Sequence, residues 1–282
     1  MRIPLETIDK EARLSQGLWL RYRLSGKGPP LLILNDPFSN KDSWDSLSAR
    51  LEQSHTVLRF DLRGQGGSSP ADRMLYDDYL DDALKLLNHL RFKKVHLQGL
   101  SASTKLCLDL YHKSPSRIAS MVLCGPVFDI YGTKRWDIIL NNILRLLKGP
   151  APLEDLFDLL YPLVFSSHFI NQAQAHGYHA LKYRFVQSFS PQALIPNFQA
   201  LRQGPQDLLT DRVHCPVALI GGEDDYFVNG RMLERLRSLF PKALARAIPL
   251  AGHYPHLENA LAFEIAVADS LARSRTLDGR GA

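Results

Sequence analysis

Only three cysteines occur in 282 residues, Cys107, Cys124 and Cys215, widely spaced and odd in number. That excludes a disulfide framework and the paired ligand spacings of zinc sites, and predicts buried free thiols. No metal and no cofactor are expected. Basic residues form no run of five or more. The net charge of +5 and pI near 9.1 are therefore spread over the surface. A dispersed charge speaks against a nucleic-acid partner and for solubility, with some attraction for anionic substrates. No apolar run approaches the ~20 residues of a membrane helix, and the first residues lack an apolar signal core. The expectation is no membrane span and a cytoplasmic protein.

What is present is ordinary for a globular chain, 45% apolar and 22% charged. The length suits one large α/β unit with an insertion, or two small domains. Residues 1–24 alternate around Leu18-Trp19-Leu20 as a leading hairpin. Leu31 to Leu34, Thr56 to Phe60, Ile118 to Leu123, Val217 to Ile220 and Ala245 to Ile248 read as strands; the most apolar of these suit burial on both faces. Trp44 to Leu51, Tyr76 to Leu90, Met232 to Leu239 and Leu261 to Leu271 carry a helical period. The residues from Ser274 onward read as a loose tail. Alternation of strand and helix implies a mostly parallel sheet covered on both faces. Functional residues in such sheets gather at the C-terminal strand ends.

Residues 131–208 interrupt the alternation with helix-like segments, among them Trp136 to Leu147, Leu153 to Leu160 and Ala173 to Phe189. They hold 11 of the 26 aromatic residues in little more than a quarter of the chain. The expected organisation is a core from 1–130 and 209–282, with a helical lid, 131–208, lining an apolar substrate pocket.

Lys94 to Leu106 is the most informative stretch. A β-favouring run ends in Gly99-Leu100-Ser101-Ala102-Ser103, and a helical period follows. This is the setting of a nucleophile elbow, a strained turn that lifts a serine hydroxyl above the sheet edge. Backbone N–H groups at the new helix start then point at an oxyanion beside the serine. The usual pattern is G-x-S-x-G, and Ser103 replaces the second glycine. A plain helix N-cap at Ser101 or Ser103 is the alternative reading.

The order Ser101, Asp225, His253 then follows, with the aspartate after a late strand and the histidine after the last. With Asp61-Leu62-Arg63-Gly64-Gln65-Gly66-Gly67-Ser68, Gly222-Glu223-Asp224-Asp225 and Gly252-His253-Tyr254-Pro255, the chain resembles the α/β-hydrolase superfamily over nearly its whole length. The resemblance implies the α/β-hydrolase fold and a triad. Ser101 is the nucleophile, His253 its base and Asp225 the residue that holds the imidazole tautomer. Asp224 is the competing register, and His256 is expected only to pack or cap the final helix.

The same resemblance places oxyanion donors at Ala102 and after the first buried strand. There the family's His-Gly is replaced by Asn35-Asp36, and Pro37, which has no N–H, falls at the donor position. Either Phe38 shifts into the role, or a side chain of Asn35 or Ser103 substitutes, or the chemistry needs no second donor. Pro37, Ser103, Val127, Trp136 and Tyr254 are the candidate substrate contacts. Asparagine at position 35 is similar to enol-lactonases of aromatic catabolism and, more loosely, to the acyltransferase joining two hydroxyacyl chains in rhamnolipid synthesis. Three readings follow. The first is a serine hydrolase acting on a small or medium ester, lactone or thioester with an apolar part. The second is an acyltransferase with a non-water hydroxyl acceptor. The third is a binding protein with an impaired site.

Overall fold

The computed structural model describes residues 9–15, 17–127, 135–172, 175–205, 208 and 210–278. Strands β1 (Lys10–Ser15), β2 (Leu18–Gly26), β3 (Pro30–Leu34), β4 (Thr56–Phe60), β5 (Val95–Leu100), β6 (Ile118–Cys124), β7 (Val217–Gly222) and β8 (Leu244–Ile248) form one sheet in the order β1-β2-β4-β3-β5-β6-β7-β8. The leading hairpin adds two antiparallel contacts, β1 to β2 and β2 to β4; every other neighbouring pair is parallel. β5, β6 and β7 are buried along their whole length, which is why β6 and β7 are nearly all apolar without alternation, while β5 buries the polar His96 and Gln98 as well. β8 is the far edge and carries the exposed Leu244 and Ala247 and the partly exposed Arg246 pair to Asp269.

Side chains alternate between the sheet's two faces, so two cores form. Leu32, Leu97, Leu123 and Leu219 meet α2 (Tyr76–His89), α3 (Ser103–Lys113) and α9 (Gly230–Leu239) on one face. Ile33, Val122, Cys124 and Ile220 meet α1 (Asp45–Leu51) and α11 (Ala260–Asp278) on the other, where Phe263 and Val267 are fully buried. α10 (Pro255–Glu258) is a single turn before α11. Cys107 and Cys124 are buried free thiols, whereas Cys215 is only half-buried.

Between β6 and β7 lie α4 (Arg135–Lys148), α5 (Leu153–Val164), α6 (Ser167–Gln172), α7 (Ala175–Ser188) and α8 (Pro191–Gln203). Leu140, Ile143 and Leu147 of α4 pack on Leu156 of α5 and on Leu194 and Phe198 of α8, a small third core. The sequence reading does not single out α8, which carries two prolines. Pro191 sits in the first turn, where no N–H is needed, and Ser190 caps the helix by accepting from Ala193 N at 3.2 Å. The loose tail is corrected as far as Asp278: α11 runs to that residue, with Leu271 and Ser274 buried. The final four residues lie outside the described set. Among the described residues no helix is long and apolar enough to cross a membrane.

Candidate active site

The elbow forms because β5 stops against α3. Ser101 has φ 56°, a left-handed conformation that costs a non-glycine residue ~1–3 kcal/mol and clusters at functional sites. It is held there from both sides: its N–H donates to Cys124 O at 2.9 Å, and its carbonyl accepts from Thr104 Oγ1 at 2.6 Å. Gly99 is required two residues earlier, since a Cβ there would stand 2.8 Å from both Cys107 Sγ and Ser103 O. Ser103 is not a substrate contact. Its hydroxyl is fully buried, accepts from Leu100 N at 2.8 Å, and lies 2.9 Å from the Leu34 and Leu100 carbonyls to which it can donate. The serine in the usual glycine place is thus a clasp joining β3, β5 and the elbow.

At the opposite side of the cleft His253 leaves β8. Its N–H donates to Val164 O of α5 at 2.7 Å. Its Nε2 lies 2.9 Å from Ser101 Oγ and its Nδ1 2.9 Å from Asp225 Oδ2. The other Asp225 oxygen accepts from Phe227 N at 2.7 Å and Val228 N at 3.0 Å. Gly125, at φ 51°, leaves room for the ring: a Cβ there would sit 3.0 Å from His253 Cε1. All three residues are buried, with 6% or less of each exposed. Burial opposes the imidazolium, but the Asp225 carboxylate, with Asp36 and Glu258, outweighs it and raises the His253 pKa. Burial also opposes ionisation of Asp225, and the imidazole and the two backbone N–H groups lower its pKa nonetheless. Asp224, by contrast, is exposed.

Ala102 lines the cavity at the start of α3, and its N–H enters no hydrogen bond among the described residues. The other expected donors are placed differently. Asn35 is fully buried, donating to Phe60 O at 2.5 Å and accepting from Trp44 Nε1 at 2.7 Å, so it fastens β3 to β4 and does not reach the cavity. Phe38 brings its ring to the cavity, but its N–H donates to Asp36 Oδ1 at 3.0 Å. Pro37 lines the cavity and turns its carbonyl to Gln65 Nε2 at 2.9 Å. Tyr254 lines it too, with its hydroxyl 3.5 Å from Asp36 Oδ2. Val127 does not: it packs half-buried on the core below. The side chain of Trp136 lies outside the described residues. His256 stacks on Trp44 at 4.8 Å, and burial drives its pKa down to about 3, so it stays neutral.

Asp36 is the site residue that the sequence reading missed. It is 3% exposed and lines the same cavity as Ser101 and His253. Burial lifts its carboxyl to about 6, although Ser39, His253, the Phe38 N–H and Tyr254 all favour the ionised form. The cavity has a volume of about 390 Å³, within the ~300–1,000 Å³ usual for small-molecule sites. Ile143, Phe157, Leu160, Phe185, Phe189 and Phe198 of the insertion form an apolar part of its wall, which the surplus of aromatics in that stretch signalled in the sequence. No cluster of metal-ligating side chains occurs among the described residues.

Residues 31–266 match the model of the alpha/beta hydrolase family. Human serine hydrolase BPHL is 25% identical over 262 residues, covering 90% of this chain and 84% of that protein. A thermophilic esterase from Thermogutta terrifontis superposes with a TM-score of 0.81 at 20% identity, over 96% of this chain and 99% of that one. The enol-lactonase from Burkholderia xenovorans does so at 0.80 and 22%, over 93% and 100%. A serine, an imidazole and a carboxylate stand in line at the strand ends of an eight-stranded sheet, and the family match runs from β3 into α11; the chain is an enzyme of the alpha/beta hydrolase family.

Proposed function

We propose that the protein is a serine hydrolase that cleaves a small or medium ester, lactone or thioester with an apolar acyl part through a Ser101–His253–Asp225 triad. The observation that carries this reading is the unbroken pair of 2.9 Å contacts from Ser101 through His253 to Asp225, opening on an apolar cavity. His253 Nε2 takes the Ser101 hydroxyl proton as Oγ bonds to the acyl carbon, and the carbonyl electron pair moves onto oxygen. The oxyanion collapses, the bond to the leaving group breaks, and that group takes the proton from His253. Water then attacks the acyl-enzyme by the same route and releases Ser101.

Residues 131–208 serve as the lid over the core segments 1–130 and 209–282, since α4, α5, α7 and α8 supply most of the apolar wall. Transfer of the acyl group to a hydroxyl other than water is the second reading, favoured by the apolar side chains of the insertion that cover the cavity and help exclude water. A fluorophosphonate probe tests the core of both. It should label Ser101 alone, and Ser101→Ala should abolish labelling. Labelling elsewhere, or none, would refute the nucleophile. Product analysis with an added alcohol separates hydrolysis from transfer.

A further inference from the structure

The loop that follows β3 leaves the site short of a proton donor. An oxyanion on Ser101 can reach the Ala102 N–H, but Pro37 has none. The main-chain N–H groups of the loop are engaged within the protein: Asp36 N on Ser39 Oγ, Phe38 N on Asp36 Oδ1, Ser39 N on Asp36 O, Asn40 N on Ser43 Oγ and Lys41 N on Asp61 Oδ1. The Asn35 amide and the Ser103 hydroxyl are engaged inside the fold. What the loop does offer the cavity is the Asp36 carboxyl.

The two oxygens of that carboxyl are not equivalent. Oδ1 accepts the Phe38 N–H at 3.0 Å, which suits a carbonyl-like oxygen. Oδ2 faces the Tyr254 hydroxyl at the 3.5 Å limit, a weaker contact than that of Oδ1, and is the oxygen on which a proton fits. Ionised, the group would set a negative charge in the same buried cavity where an acyl oxyanion must form. Resting on the Ser101 nucleophile, we propose that Asp36 works as a neutral carboxylic acid whose Oδ2–H donates the second hydrogen bond to the oxyanion.

The surroundings favour that form. Burial already holds the Asp36 carboxyl at about 6, and an apolar acyl group that displaces water pushes in the same direction. A carboxylic acid kept neutral by apolar surroundings is an established kind of oxyanion donor. The groups that face Asp36 are His253 and Tyr254 from the loop after β8, Ser39 from its own loop, and Tyr79 from α2. Only His253 can be charged near neutrality, and the competent state pairs neutral imidazole with neutral carboxyl. The rate should therefore need His253 to lose a proton on the acid side and Asp36 to keep one on the alkaline side, two limbs that belong to the coupled pair.

The test is the pH profile of kcat/KM on a neutral p-nitrophenyl ester for the wild type, Asp36→Asn and Asp36→Leu, with fluorophosphonate labelling alongside. The wild-type rate should fall above neutrality, since only ~1% of a group titrating near 6 keeps its proton at pH 8. Asparagine carries a permanent N–H donor, so Asp36→Asn should lack that fall and exceed the wild type at pH 8 by about tenfold or more. Asp36→Leu, with no donor, should lose ~10²–10³ at the wild-type optimum, and the gap should narrow above neutrality as the wild type gives up its own donor. The wild-type profile needs no variant, so the proposal can be judged even if leucine is not tolerated. A labelled wild type with no alkaline fall, or an Asp36→Asn loss as deep as that of leucine, would overturn the donor alone; the latter would make Asp36 a counter-ion to His253. A wild type that neither labels nor turns over would overturn the nucleophile, and this proposal with it.

Discussion

Replacing Asp225 by asparagine changes one atom and should change which nitrogen of His253 carries the proton. Phe227 N and Val228 N both donate to Asp225 Oδ1, at 2.7 and 3.0 Å. The amide oxygen of an asparagine must stay on that side, or two N–H groups would lose their acceptor. The new NH₂ then replaces Oδ2, 2.9 Å from His253 Nδ1. Two donors cannot face each other, so Nδ1 gives up its proton and Nε2 holds it, aimed at the Ser101 hydroxyl it ought to deprotonate. The imidazolium of the transition state also loses its counter-ion. A loss of ~10⁴ in kcat, about 5.5 kcal/mol, is expected on the precedent of other serine triads. Steady-state hydrolysis of p-nitrophenyl butyrate and the second-order rate of fluorophosphonate labelling should fall together. Asp224→Asn, at an exposed position whose backbone N–H bonds to Ala251 O, is the matched control and should stay within about threefold of wild type. A loss under tenfold in Asp225→Asn, or equal losses in the two variants, would refute the tautomer reasoning.

Other consequences can be measured without a substrate. Ser103→Ala should lower stability in urea unfolding by ~1–3 kcal/mol, because Leu100 N and a buried carbonyl lose their partner. Asp36→Asn should act in the opposite sense. A carboxyl held at about 6 in the fold but near 3.8 in the unfolded chain keeps its proton longer when native, so native stability falls as pH rises between those values. The variant should be more stable than wild type above pH 6, by up to about 3 kcal/mol, and the difference should vanish below about pH 4; equal stabilities at pH 8 would contradict the shift. Ile143→Trp, which adds bulk to the wall near Phe198, should move ester preference toward shorter acyl chains, read as a ratio of kcat/KM for butyrate and octanoate esters.

The parts of this molecule that could be read from its sequence are those where one local rule settles the outcome. β6 and β7 are almost wholly apolar because both faces are covered, and the exits of β5, β6 and β7 are where Ser101, Gly125 and Asp225 stand. α8 has no clear local signature, since Pro196 stands inside it and Pro191 is tolerated only because it falls in the first turn. Residues 274–278 look polar enough for a tail, yet the burial of Leu271 and Ser274 carries α11 through them. Asn35 and Asp36 were the hardest to place. Adjacent residues of similar polarity point to opposite fates, Asn35 into Trp44 and the Phe60 carbonyl, Asp36 into the cavity beside His253. Which way each turns depends on the register of β3 against β4 and on a partner more than two hundred positions away, and neither leaves a local trace.

The bond from His253 N to Val164 O bears on how enzymes built this way can be altered. Val164 ends α5, and beyond it Ser166 N donates to Glu258 Oε2 at 2.8 Å, so the insertion is moored at the loop that carries the imidazole. Phe38 meets Phe185 and Phe198 of the insertion at 5.5 and 4.9 Å between ring centres, a second mooring on the opposite bank. An insertion fixed at both the His253 loop and the β3 loop is not an interchangeable module. Grafting a foreign insertion onto this scaffold, or trimming its own, would have to reproduce a carbonyl at position 164 and a ring contact at Phe38, or the loop that carries His253 would lose its anchor.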